Sequence, residues 1–219
     1  MNSRTLIAAT SLAVLAATAQ AREPWSDDVP SRTQALALLQ SLNADLLSHP
    51  SATLTLERWC GVHALAPEAK IVARRVKGQD KPLPEAERAT LGIGADEPVR
   101  YRRVQLACGD HVLSEADNWY VPARLTPEMN RILDTTDQPF GKVVQALHFR
   151  RQTLSADLLW SPLPNGWEMD APLPPPRQGP LAIPHEVLRH RAVLFTEANQ
   201  PFSLVVETYT SEVLAFGRR

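Results

Sequence analysis

The chain has little of what usually announces a chemical site. It carries two cysteines, nine glycines and six histidines in 219 residues, and its formal net charge is −1. Two thiols, Cys60 and Cys108, cannot make a structural zinc site alone, and no histidine stands at finger-like spacing from them. No phosphate-binding glycine loop or nucleophile elbow is present. The histidines, His49, His63, His111, His148, His185 and His190, are scattered. None sits in a local signature of a serine or cysteine hydrolase. The near balance of charge and the absence of a basic tail argue against a general nucleic-acid or membrane-surface binder. There is no internal repeat and no βαβ rhythm.

What is present begins with the N-terminus. Residues 1–21, MNSRTLIAATSLAVLAATAQA, place Arg4 before an apolar run and small residues at Ala19 and Ala21. That order predicts a secretory signal cleaved after Ala21, and so a periplasmic or secreted protein. The alternative is an uncleaved anchor, although the run is short and rich in Ala and Thr for a membrane span. Without Arg4, 22 basic residues face 24 acidic ones, a net of −2. Export would carry Cys60 and Cys108 into an oxidising compartment. A disulfide between them and two buried free thiols are both open, because their separation in space is not given by sequence.

Residues 22–31 hold Pro24 and Pro30 among polar neighbours and read as a linker into one domain over 32–219. Leu36, Leu39, Leu42 and Leu46 then form a helical stripe with Ser31 as the N-cap, stopped by His49-Pro50. Ala52–Arg58, ATLTLER, alternates leucine with threonine and predicts a strand. Lys70–Lys77 predicts a second, with Val72 and Val76 on one face. Pro84 opens a short helix that Gly92 closes. Val99–Ala107 and Val112–Val121 form a hairpin around Cys108-Gly109-Asp110-His111. Thr126-Pro127 starts a helix as cap and first residue. A short helix over Phe140–Leu147 and a strand over His148–Trp160 follow. Eight prolines in 161–184 make that stretch a semi-rigid loop. A last hairpin runs Val187–Glu197 and Phe202–Thr210. The pattern is an α+β single domain with a mostly antiparallel sheet of about six strands and inserted helices.

Arginine is the chemically dense residue. Arg100, Arg102 and Arg103 share one strand, and Arg150 and Arg151 another. Neighbours on a strand point to opposite faces, so Arg102 and Arg103 cannot share one. An inward arginine needs an anion, from a protein carboxylate such as Glu115 or Glu207 or from a ligand. Glu207 shares the face of Ser203 and Val205 in an apolar strand, where burial would favour acid/base chemistry.

Three blocks carry a resemblance: RVQLACGDHVLSEADNWYVP, then TDQPFGKVV, then PFSLVVETY. They resemble the bacterial chorismate pyruvate-lyase family, which shares its fold with the UTRA effector-binding domains of transcription regulators. Arg103 precedes Cys108 by five residues, Pro139 and Gly141 match a proline-leucine-glycine turn with Phe140 as the leucine, and Glu207 ends the last block. The resemblance implies a chorismate lyase/UTRA-like fold and cofactor-independent elimination of pyruvate from chorismate to give 4-hydroxybenzoate. It implies Arg103 as the carboxylate-holding catalytic residue and Glu207 as the acid/base. Phe140, with Gly141, Asp117 and Arg151, would complete the binding set, with no metal and no cofactor. The alternative is a non-catalytic exported binding module for a small anionic cyclic or aromatic carboxylate, as in UTRA domains.

Two departures qualify the activity. Asp117 stands where the family has glycine, and a carboxylate beside the dianion chorismate repels it by about 1 kcal/mol even in watery surroundings. An exported lyase would also lie apart from the cytoplasmic supply of chorismate.

Overall fold

The computed structural model describes residues 23–217; the signal sequence expected over 1–21 and its expected cleavage site lie outside the described residues. The chain folds as a single α+β domain around a six-stranded, wholly antiparallel sheet. The strands are β1 Ile71–Arg75, β2 Arg100–Cys108, β3 His111–Tyr120, β4 Arg150–Leu158, β5 Glu186–Phe195 and β6 Pro201–Thr210. Their spatial order is β1-β2-β3-β6-β5-β4. The helices are α1 Val29–Ser48, α2 Ala52–His63, α3 Glu85–Thr90, α4 Pro127–Thr135 and α5 Phe140–Val143.

The expected hairpins and the helix after Thr126 form as read. Thr126 accepts a hydrogen bond from Met129 N at 3.1 Å, and Pro127 takes the first helical position, where its missing N–H costs nothing. Gly109 makes the β2–β3 turn at φ +55, a conformation that favours glycine, and a Cβ there would stand 2.8 Å from Ala66 Cβ.

Four expectations are corrected. Ala52–Arg58 is helix, not strand. Its buried apolar residues, Ala52, Leu56, Trp59 and Cys60, recur at helical spacing, while Leu54 is 37% exposed. Ser51 caps it by accepting from Leu54 N. The cap of α1 is Asp28 rather than Ser31, whose N–H it receives at 2.8 Å. The stretch 22–31 is no free linker where it is described: Trp25 is buried, donates from Nε1 to Leu214 O and packs edge-on to Phe216. On β1, Ile71 and Ala73 face the core and Val72 faces out.

Helices α1 and α2 cover one face of the sheet, joined there by Tyr209, Val213 and Phe216. Helices α4 and α5 extend the cover on that face over Tyr120, Leu194 and Val205. The segment around α3 packs Leu91 onto Trp119, Val193 and Leu204 of the opposite face. Cys60 on α2 and Cys108 at the end of β2 form a disulfide, with Cα atoms 6.4 Å apart, inside the usual range.

Candidate functional site

The strand register decides which side chains meet. In antiparallel pairs, directly opposed residues share a face. Arg102 opposes Asn118 and Val104 opposes Ala116; Asn118 in turn opposes Val205, and Ala116 opposes Glu207. These six residues therefore face the same helices. Between them, the first turn of α2 and Phe140-Gly141 at the start of α5, lies a narrow cleft of about 50 Å³. Phe149, Leu194 and Arg151 complete its floor.

Arg102 is the unusual member. It is 4% exposed. Its Nη2 donates to Gln138 O at 3.0 Å, while Nε and Nη1 have no partner among the described residues. Among the described residues no carboxylate pairs with it. Burial pulls its pKa down to about 10, and Arg75 adds to this, against Tyr120, Asp137 and Asp134. A buried cation so poorly compensated is costly.

The second charged element is a pair. Arg151 Nη2 donates to Glu207 Oε2 at 2.7 Å, and the Tyr209 hydroxyl donates to the same oxygen at 3.3 Å. Burial lowers the Arg151 pKa, but Glu207 and then Tyr209 outweigh it and leave it raised. Burial, reinforced by Glu207, holds the Tyr209 hydroxyl well above its usual range. Behind the pair, His190 opposes Glu207 across β5–β6, with Nε2 2.8 Å from Asn43 Oδ1. Burial pulls its pKa down to about 4. Asn118 Oδ1 accepts from Ser203 Oγ at 2.6 Å.

Of the residues expected from sequence, Glu207, Phe140, Gly141 and Arg151 are brought together here. Arg103 and Asp117 are not. They lie on the opposite face, where Arg103 reaches Glu115 at 2.9 Å and Asp117 at 3.3 Å. Asp117 also takes Lys81 at 2.9 Å and the Tyr101 hydroxyl at 2.6 Å. Burial opposes ionisation of Asp117, yet these donors hold its pKa below the usual value. Its charge is spent on that face and does not oppose an anion in the cleft. The corresponding positions facing the cleft are Arg102, Ala116 and Asn118. A signal for this was present: Arg102 alternates with Val104 and Leu106, an apolar and hence inward parity. The contribution of Ser51–Thr53 was hidden by reading α2 as a strand.

No family model matches the chain. The uncharacterized protein y4mC of Sinorhizobium fredii (strain NBRC 101917 / NGR234) is 57% identical over 196 residues, 89% of this chain and 83% of that protein. The chain belongs to the y4mC family. Among solved structures it is similar to the effector domain of PhnF from Mycobacterium smegmatis, with TM-score 0.49 and 13% identity over 74% of this chain and 90% of that one. It is also similar to a GntR-family transcriptional regulator from Enterococcus faecalis V583, with TM-score 0.39 and 17% identity over 63% and 91%. It spans 65% of a longer PhnF chain and 59% of YydK from Bacillus subtilis. Among the described residues, no helix is long and apolar enough to cross a membrane.

Proposed function

We propose that this y4mC-family protein binds a small cyclic or aromatic carboxylate in the cleft beneath α2 and α5. The observation that carries the reading is Arg102, buried at the cleft with Nε and Nη1 unpartnered. A ligand carboxylate would supply the missing acceptor and countercharge, and charge-assisted hydrogen bonds are the strong ones. Phe140, Phe149, Val104 and Val205 give the apolar walls that a ring requires. On this reading the protein acts as an UTRA-like binding module. Export fits the signal-like N-terminus and the Cys60–Cys108 disulfide, a pairing characteristic of oxidising compartments. The test is calorimetric titration of purified protein with aromatic acids. Saturable binding that Arg102→Ala removes supports the proposal; unchanged binding in Arg102→Ala rules it out.

Glu207 favours a second reading, chorismate lyase-like elimination, because it shares the cleft with Arg102. In that reaction the ring loses a C–H proton and the bond to the enolpyruvyl oxygen, giving 4-hydroxybenzoate and pyruvate. Arg102 would take the role expected of Arg103, holding a carboxylate. A carboxyl at Glu207 would give the departing oxygen its proton. Glu207 Oε2 is already held by Arg151 Nη2 and the Tyr209 hydroxyl rather than free to meet a substrate, which is why binding is the first reading. Release of 4-hydroxybenzoate from chorismate, abolished by Glu207→Gln, would promote the second reading over the first.

A further inference from the structure

We infer that the cleft is matched to a singly charged ligand, a cyclic monocarboxylate, and rejects dianions of the same shape. The inference rests on the binding proposal above and deepens it. Among the described residues, three charged side chains line the cleft: Arg102, Arg151 and Glu207. The last two neutralise each other through their 2.7 Å contact. That leaves one positive charge, on Arg102, and one carboxylate balances it.

The layout of the sheet places a second carboxylate badly. Arg102 lies on β2 and Glu207 on β6, separated by the intervening β3 and displaced by one inward-facing position, since Arg102 opposes Asn118 and Glu207 opposes Ala116. Strand spacing and rise put their Cα positions about 12 Å apart. A single ring anchored at Arg102 therefore points its far side toward Glu207. A neutral or hydrogen-bonding substituent fits there. A carboxylate would face another carboxylate, and Arg151, held to it through Nη2 and with Nε unpartnered, carries no charge beyond the one that Glu207 balances. Among the described residues, the other walls offer no second cation, only Asn118, the first turn of α2 and apolar side chains. An unpaired charge out of water is strongly disfavoured, so discrimination of roughly tenfold or more is expected.

The experiment is calorimetric titration of the purified protein, at neutral pH, with benzoate, benzamide and terephthalate. Benzoate should bind at least about tenfold more tightly than either of the others. In Glu207→Gln the preference for benzoate over terephthalate should narrow by roughly tenfold, because the repelling charge is gone. Terephthalate binding the unaltered protein as tightly as benzoate, with both lost in Arg102→Ala, overturns the inference and leaves the binding proposal standing. No binding by any of the three, or benzamide equal to benzoate, overturns both. The ranking on the unaltered protein is decisive even if Glu207→Gln fails to fold.

Discussion

Arg151 and Glu207 meet at 2.7 Å with both side chains more than nine-tenths buried, on strands separated by β5. Breaking such a pair from one side leaves a lone buried charge, which costs about 3–5 kcal/mol, whereas replacing both partners by apolar residues is often neutral. Arg151→Met should therefore destabilise the fold by about 3 kcal/mol or more. The double variant Arg151→Met/Glu207→Leu should recover most of that loss. Urea unfolding of the two proteins measures it. Equal destabilisation by both would mean that the pair contributes to stability beyond avoiding a lone charge.

Arg102 and Arg103 should behave in opposite ways. Arg102 is a buried cation with two unpartnered nitrogens, so Arg102→Met removes a cost and should leave the urea midpoint unchanged or raised. Its carboxylate affinity should fall by roughly 100-fold, the loss of one charge-assisted contact at about 3 kcal/mol. Arg103→Ala strips partners from Glu115 and Asp117 on the other face, where the pairs are partly exposed. It should cost about 1 kcal/mol of stability and leave affinity unchanged. Loss of binding in Arg103→Ala with retention in Arg102→Met would reverse the assignment of faces.

His190 makes stability depend on pH. Its pKa falls to about 4 in the folded chain because it is buried, against an unfolded value near 6.5. Between those values the unfolded chain binds the extra proton, so stability present above about pH 6.5 is lost as pH falls toward 4. The contribution is of the order of 3 kcal/mol. His190→Gln should flatten this part of the curve, measured as unfolding free energy from pH 7 to pH 4. An unchanged slope would assign the acid sensitivity to other groups.

The hairpins, the capped α4 and the sheet class were legible because each rests on local chemistry. Gly109 marks a turn, Thr126-Pro127 marks a helix start, and alternation marks β2, β3 and β6. Helix α2 was not legible in seven residues, since ATLTLER alternates like a strand. Its true stripe, Ala52, Leu56, Trp59 and Cys60, appears only when the window reaches Cys60. The cleft was half legible. Glu207 and Phe140 came from the resemblance, and the parity of Val104 and Leu106 already pointed Arg102 inward. The Arg151–Glu207 contact was beyond reach. It requires β4 to return beside β5 and a side chain long enough to cross that strand, neither of which is written in the local sequence.

The disulfide ties this wall of the cleft to its floor. Cys60 lies two turns beyond the residues of α2 that line the cleft, and Cys108 ends the strand that carries Arg102. A cross-link spanning 48 residues stabilises by about 4 kcal/mol through restriction of the unfolded chain. Cys60→Ala/Cys108→Ala should lose stability of that order in urea. The folded fraction should also bind aromatic carboxylate severalfold more weakly, because α2 then loses its covalent tie to the sheet and keeps packing, Trp59 Nε1 on Val213 O, Arg58 on Asp45, and Lys142 Nζ and Ile71 N on Glu57. A thiol assay under denaturing, non-reducing conditions should find no free thiol in protein recovered from an oxidising compartment. Two reactive thiols per chain there would remove both the cross-link and the coupling argued from it.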